Sequence, residues 1–537
     1  MFKKTKQILQ NSFYQLLAVY ALLILAVSLG LFWKYSLQFQ IFALIIALFG
    51  ISIIPKESKE ESNKLNKNLH YFLFILAILL IFILRAIPYI NNTIPLGYDA
   101  GIYKYGIESG LKNLDKWILQ GGHEPGFLYL MQFFKIFFSI GFILKWLLIG
   151  FCILLGSGVY FVVKEFSNKQ TGLIALFIYA FSLIQFKAFW YMYYRNVIGM
   201  SLVLFSIYFL KKYENTNKTK YLWFFAALGG LLGGIHRPSF YIFGLSYFIY
   251  AFISPYKNKR YDFKQLGENI AYGLLIIAIA GLFYLGKFSQ AITVMFEPVL
   301  QGFIQPGESA GTFINFFTFQ FSSLFYLPFA LLGLFCFIRK RQFNFLVIWA
   351  IINFIIVYFQ FFFFNRFIIF LDLVLIILAS FGFSLLIENK KKLGILILVV
   401  LLLSAGILTF KEARDSKPLI SEQELKIISY LNTTEENALV MATSSYYSPW
   451  VLGYSGRKTI APGLFDYNKH NKGQWATFWT ASNLTEIKAF LDAYEKPLYI
   501  FIGKRQEDNL AQFGNTECFR LYSQEENNKI YEYSCQS

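Results

Sequence analysis

A chain that carries one apolar stretch of about twenty residues after another has few folds open to it. Each such stretch, as a helix rising 1.5 Å per residue, is long enough to cross roughly 30 Å of hydrocarbon. This 537-residue sequence carries thirteen stretches of that kind or close to it, near 12–33, 37–54, 69–88, 142–163, 171–188, 194–210, 221–235, 238–254, 269–286, 312–337, 343–361, 366–387 and 394–410. Only 15% of its residues are charged, against roughly 25% in a soluble globular domain, and 63 Phe with 36 Tyr exclude a disordered chain. A polytopic membrane protein remains. The first stretch follows Lys3, Lys4 and Lys6 in the manner of a secretory signal. It is long, has no small-residue cleavage site and is followed at once by a second span, so it reads as an anchor.

A formal net charge of +18 and a pI near 9.4 raise the question of nucleic acid, which the positions of the charges answer. With the N-terminus inside, the inner segments are 1–11, 55–68, 164–170, 211–220, 255–268, 339–342 and 388–393, and their 66 residues hold 23 of the 49 Lys and Arg. The outer and buried positions before residue 411 hold 12, and the tail 411–537 holds 14. The charge is therefore a positive-inside topology signal, and no nucleic-acid partner is expected. The same count decides the apolar stretch 126–140, only about 22 Å long as a helix. Counting it as a span would turn Lys211, Lys212, Lys257, Lys259, Arg260, Arg339, Lys340 and Arg341 to the outside. It reads as an interfacial or re-entrant helix, which makes 89–141 one long outer loop and leaves the tail outside.

The tail changes composition and mixes helix and strand patterns. Ser421 precedes Glu422 and Glu424 as the cap of a helix over 422–431, and 438–442 is a short strand. Asn483 and Glu486 fit a capping box opening a helix to Tyr494, 497–502 reads as a buried strand, and 519–522 with 529–533 close the domain. The fold class expected is an all-α polytopic membrane domain of about thirteen helices with a small extracytoplasmic α/β domain. Three regions follow: 1–68 as a transmembrane hairpin with its cytoplasmic loop, 69–410 as the membrane catalytic domain, and 411–537 as the α/β domain. Cys152 and Cys336 lie in apolar runs, while Cys518 and Cys535 flank a hairpin and can pair if the tail faces an oxidising compartment.

Chemistry in such a chain belongs at a water-accessible face, so the loop 89–141 is the first place to look. It holds Pro95-Leu-Gly-Tyr-Asp-Ala-Gly-Ile-Tyr-Lys-Tyr105, ahead of an amphipathic stretch 102–119, and Gly121-Gly-His-Glu-Pro-Gly126. Asp99 is either an N-cap or a general base, Glu124 before Pro125 is either a cap or its support, and His123 is either a cap or a substrate-binding residue. Cations at outer ends, Arg195, Arg237, Arg366, His236 and Lys287, suit a phosphate or snorkel to headgroups. Tyr191, Tyr193 and Tyr194 read as an interfacial belt, and Arg85 and Asp372 as intramembrane charges paired within the bundle. The loop 287–311 is a connector or a cover over substrate.

Taken in order, the acidic outer loop, the Pro-led Phe-Leu-Tyr-Leu helix and the span ending Val162-Val-Lys-Glu-Phe166 resemble the GT-C superfamily of integral-membrane glycosyltransferases. So do Thr171-Gly-Leu-Ile-Ala-Leu-Phe177, the aromatic turn Phe189-Trp-Tyr-Met-Tyr-Tyr-Arg195, the Gly-rich Gly229-Gly-Leu-Leu-Gly-Gly-Ile-His-Arg-Pro238, and Asn365-Arg-Phe-Ile-Ile-Phe370. The resemblance covers about 69–410. It implies an outward-facing enzyme that moves a sugar from a polyprenyl-phosphate donor, with inversion, to a hydroxyl of a glycan, lipid or protein acceptor. In that scheme Asp99 is the catalytic base, and neither a cofactor nor a divalent cation is expected. Many relatives read Asp-Glu at Asp99-Ala100 and His-Pro-Pro at His123-Glu-Pro125, so Glu124 stands as the replacement acid or as incidental. Trp450-Val-Leu-Gly-Tyr-Ser-Gly-Arg457 resembles the C-terminal domains of oligosaccharyltransferase-like relatives, but their Trp-Trp-Asp motif is absent, which disfavours transfer to asparagine. The competing readings are a polysaccharide polymerase or ligase, which needs its long catalytic loop late in the chain, and a transporter, which needs half-chain repeats and helices broken at midplane.

Overall fold

The computed structural model describes residues 2–31, 36–53, 66–113, 124–257, 260–285, 314–339, 344–361, 364–462, 469–481, 483–505, 513 and 517–535. The chain divides into two compact units, one of Met1–Ile90 with Leu148–Ser416 and one of Asn91–Leu147 with Lys417–Ser537.

The first unit is a helical bundle with a minimal hairpin of β1 (Tyr256–Lys257) and β2 (Arg260–Tyr261). All thirteen apolar segments carry helix. Among the described residues fewer meet the requirements of a bilayer crossing: six helices are long and apolar enough, Gln7–Ser28, Lys67–Tyr89, Ile140–Phe166, Phe263–Leu282, Phe364–Asn389 and Lys391–Asp415, and up to eight if two bent pairs count as spans. Gln38–Gly50, Lys220–Ile235 and Phe345–Tyr358 are shorter apolar helices. The chain is thus a multi-pass membrane protein, and its described residues hold six to eight spans by this measure, against thirteen expected from apolar runs alone.

The bent pairs carry the unit's polar architecture. Lys169–Ala180 and Leu183–Trp190 meet at 53°, and Phe316–Ser323 and Leu327–Arg339 at 76°. A broken helix strands carbonyls, which hydrocarbon will not satisfy. At the first break the Thr409 hydroxyl donates to the Phe181 carbonyl at 2.7 Å. At the second the Tyr20 hydroxyl donates to the Leu324 carbonyl at 2.5 Å. One carboxylate then serves both breaks. Asp372, fully buried on the Phe364–Asn389 helix, accepts from Ser182 Oγ at 2.9 Å and Gln185 Nε2 at 2.9 Å on Oδ2, and from the Tyr326 hydroxyl on Oδ1. Ser182 also caps the second half-helix by accepting from Gln185 N at 3.2 Å. Arg85, also fully buried, places its guanidinium 5.4 Å from the Tyr179 ring centroid. Both carboxylate oxygens of Asp372 are therefore satisfied by hydroxyl and amide donors, in the way a buried carboxylate requires.

The second unit contains a five-stranded mixed sheet of β3 (Leu439–Ala442), β4 (Lys458–Ile460), β5 (Leu498–Ile502), β6 (Phe519–Glu525) and β7 (Asn528–Tyr533), in the order β4-β3-β5-β7-β6. β3 runs parallel to β4 and β5, and β7 is antiparallel to β5 and β6. Every residue of β3 and β5 is buried, as expected for parallel strands covered on both faces. One face packs Trp475, Phe478, Ile487 and Phe490 from the helices Lys472–Thr480 and Leu484–Leu491. The helix Glu422–Tyr430 opens with the expected cap, a reciprocal box between Ser421 and Glu424. Asn483 caps its helix from one side only, accepting from Thr485 N at 2.9 Å. Cys518 and Cys535 form a disulfide that brackets the β6–β7 hairpin.

Candidate functional site

In the second unit the loop places both candidate carboxylates at helix starts. Asp99 precedes Ala100–Ser109 with φ −75° and ψ −3°, and its side chain makes no capping hydrogen bond. A helical ψ at that position turns the carboxylate away from the amides it would cap, which removes the capping explanation of this residue. Asp99 is half-buried, and the Tyr103 hydroxyl one turn along lies 3.5 Å from its Oδ2. Glu124 precedes Pro125–Lys135, also without a capping bond, and is 2% exposed.

The two helices are joined. The Tyr103 and Phe127 rings lie 5.2 Å apart, and both Gln132 Nε2 and Lys135 Nζ donate to the Ile107 carbonyl at 2.9 Å. Tyr103 therefore links the Asp99 helix to the helix that Glu124 heads. Beside Asp99, the Tyr98 hydroxyl donates to the Ser445 carbonyl at 2.6 Å. Burial pushes that hydroxyl well above the ordinary tyrosine range, and the neighbouring Asp99 charge adds to it against a hydrogen bond with Ser448. His123, Lys287, the segment 114–122 and the loop 287–311 lie outside the described residues.

In the first unit the cationic candidates gather at three helix starts. Arg195 sits in the first turn of Tyr194–Thr216, Arg237 opens Arg237–Ile253, and Arg366 lies in the first turn of Phe364–Asn389. His236 connects them. It ends one helix and caps the next with φ −155° and ψ 100°, its Nδ1 accepting from Ser239 N at 3.3 Å and sharing 2.7 Å with Ser239 Oγ. Its ring stacks on Phe370 at 6.5 Å, one turn along from Arg366. On the other side a Cβ at Gly199, one turn along from Arg195, would lie 2.7 Å from Ser239 Oγ and 3.0 Å from His236 Cβ. Glycine is what allows the helices to meet there. Arg237 follows His236 directly, while Arg195 and Arg366 each lie one turn along their helices from a residue that meets His236 or Ser239, Gly199 in one case and Phe370 in the other. A helix N-terminus that carries a half-buried guanidinium favours an anion, through amide dipoles and through bidentate N–H donors.

Tyr191 and Tyr193 stack at 5.8 Å in the turn before Arg195, which Met192 makes with φ 56°. Among the described residues no group of three His, Cys, Asp or Glu side chains is placed to hold a metal ion. Sequence reasoning did not single out Tyr103, Gly199 or Phe370. Their only signal was spacing, each four residues from Asp99, Arg195 or Arg366 on the same helix.

No sequence-family model and no curated protein matches this chain by sequence. Solved structures do match. The oligosaccharyltransferase of Archaeoglobus fulgidus in its apo form is similar at a TM-score of 0.64 with 14% identity, over 81% of this chain and 70% of that one. The archaeal oligosaccharyltransferase AglB of the same organism, in complex with an inhibitory peptide and a dolichol-phosphate, is similar at 0.62 with 15% identity, over 81% and 69%. ArnT from Cupriavidus metallidurans bound to undecaprenyl phosphate is similar at 0.59 with 10% identity, over 87% of this chain and 98% of that one. The likeness is one of fold: this chain shares the fold of these solved membrane proteins.

Proposed function

We propose that this protein is a membrane glycosyltransferase that moves a sugar from a polyprenyl-phosphate donor to an acceptor hydroxyl, with inversion at the anomeric carbon. The single observation that carries the reading is that the helices with Arg195, Arg237 and Arg366 in their first turns all meet at or next to His236, because a polyprenyl phosphate is an anion that must be held at the edge of an apolar phase. Arg195, Arg237 and Arg366, with His236 Nε2, would bind the phosphate and stabilise the charge it gains as it leaves. Asp99 takes the acceptor proton as the acceptor oxygen attacks the anomeric carbon. The bond from that carbon to phosphate oxygen breaks, its electron pair leaving with the polyprenyl phosphate. Glu124 would support the base, and His123 would contact the substrate. Neither a cofactor nor a divalent cation is required, because the guanidiniums supply the positive charge.

The acceptor is a glycan, lipid or protein hydroxyl. Transfer to asparagine is the weaker alternative, since the chain lacks Trp-Trp-Asp and ArnT is matched over nearly its whole length. The topology proposed with it keeps thirteen membrane segments, the N-terminus inside and both 89–141 and the tail outside, and the paired Cys518 and Cys535 support an oxidising location for the tail.

The test uses the full-length protein in native envelope membranes with a panel of undecaprenyl-phosphate-linked hexoses and pentoses, reading release of undecaprenyl phosphate. Asp99→Asn is expected to lower turnover by about 10²–10⁴-fold while leaving thermal stability unchanged. Arg366→Leu is expected to weaken the donor's KM. Full turnover by Asp99→Asn refutes the assignment of the base.

A further inference from the structure

We propose that the C-terminal α/β domain sets the position of Asp99, with Gly101, Gly453 and Tyr98 as positioning residues, an inference that rests on the reading of Asp99 as the base. Within the second unit, the Asp99 helix Ala100–Ser109 packs on the helix Ser448–Ser455. The crossing is backbone against backbone. A Cβ built on Gly101 would lie 1.8 Å from the Pro449 carbonyl oxygen, and one on Gly453 would lie 2.2 Å from the Gly101 carbonyl oxygen. Neither helix can carry a side chain at the contact, so the separation of the two axes is fixed by main-chain atoms.

Anchors to the tail lie on both sides of Asp99. Before it, Thr93 Oγ1 donates to Glu422 Oε1 at 2.9 Å, the Leu96 carbonyl accepts from Leu419 N at 3.2 Å, and the Tyr98 hydroxyl donates to the Ser445 carbonyl at 2.6 Å. After it, Lys104 Nζ donates to the Gly453 carbonyl at 2.9 Å and lies 4.7 Å from the Tyr454 ring centroid. Five ties fall within twelve residues, and the Asp99 carboxylate caps nothing. The loop is held to the tail on both sides of Asp99, whose carboxylate lies 3.5 Å from the Tyr103 hydroxyl. Fixing the backbone before and after a reacting group is what keeps that group in productive geometry.

A methyl group at Gly453 needs about 3.4 Å where 2.2 Å is available, which displaces the Asp99 helix by more than 1 Å. A displacement of that size at a reacting group costs about a hundredfold in turnover.

The experiment compares Gly453→Ala, Tyr98→Phe, Ile487→Ala and Asp99→Asn in the full-length protein, with the undecaprenyl-phosphate sugar that gives turnover in the panel. Gly453→Ala is expected to lower kcat about a hundredfold with the donor KM unchanged. Tyr98→Phe, which removes one hydrogen bond and no volume, is expected to lower kcat several-fold and stays informative if Gly453→Ala does not fold. Ile487→Ala, in the domain core away from the crossing, is expected to lower the melting temperature while keeping kcat below it. Wild-type kcat in Gly453→Ala or in Tyr98→Phe overturns the proposal. So does a loss of kcat in Ile487→Ala that matches Gly453→Ala, because domain stability alone would then explain both. If Asp99→Asn is inactive in those cases, the base assignment stands and only the positioning role falls. An active Asp99→Asn overturns the base assignment and this inference with it.

Discussion

Asp372→Ala tests whether one carboxylate holds two broken spans together. The substitution removes the acceptor of three donors, Ser182 Oγ, Gln185 Nε2 and the Tyr326 hydroxyl. Gln185 Nε2 keeps a bond to the Ile369 carbonyl at 2.9 Å, so two donors lose everything and one loses half. Hydrogen bonds to a charged group are worth about 1.5–3 kcal/mol each in soluble proteins, and a stranded buried donor costs about 1–3 kcal/mol. Between membrane helices the average per bond falls to about 0.6 kcal/mol, because the unfolded state finds other partners. The stranded donors sit at fully buried positions, which places the expected loss near the middle, about 3–5 kcal/mol. Asp372→Asn keeps one acceptor oxygen and is expected to lose about 1–2 kcal/mol. The assay is denaturant or thermal unfolding of the protein in detergent, with Ser182→Ala made in both backgrounds. Ser182→Ala is expected to cost about 2 kcal/mol with Asp372 present, and only the roughly 1 kcal/mol of the lost helix cap with Ala there. Equal stability of wild type and Asp372→Ala, or full additivity with Ser182→Ala, would refute the account.

Cys535→Ser opens a 17-residue loop, and loop-closure entropy sets the expected loss at about 3 kcal/mol for the α/β domain, read as its unfolding midpoint in urea with and without reductant. Chelation by EDTA is expected to leave undecaprenyl-phosphate release unchanged, and a loss restored by added Mg²⁺ or Mn²⁺ would assign the phosphate to a metal in place of the arginines. Cysteines at the exposed positions Glu486 and Lys218 are expected to differ in intact cells: Glu486→Cys reacts with an impermeant thiol reagent and Lys218→Cys does not. The reverse pattern would invert the topology.

The helical segments were legible because an apolar run of twenty residues has one stable answer in lipid. Their bends were not. Ser182 and Leu324 to Tyr326 carry no Gly, and the breaks are made by distant partners, Thr409, Tyr20 and Asp372, that no local pattern links to them. Asp99 and Glu124 were legible as acidic residues at helix starts, with capping and catalysis both open. Neither side chain makes a capping bond, and backbone geometry of that kind has no sequence signature. The arginines were legible as cations near segment ends. The approach of their helices to His236 depends on a bare Gly199 and a stacked Phe370, which look like ordinary core residues in sequence. The α/β domain showed the reverse balance. Its buried strand β5 and the Ser421 cap were plain, while β4 and the helix Ser448–Ser455 have too few residues and too mixed a pattern to announce themselves.

The division of the chain into units also fixes an order of events during synthesis. Asn91–Leu147 completes its fold only with Lys417–Ser537, and the Tyr98–Ser445 bond closes across 347 residues. A ribosome adding about 5–20 residues per second needs about 15–55 s to make the roughly 270 residues in between. Throughout that interval the loop has none of its tail partners, and Gly101 faces no helix. The acidic segment is thus the first part of its unit to be made and among the last to be set, so a nascent chain holds its complement of membrane helices before it holds a positioned carboxylate.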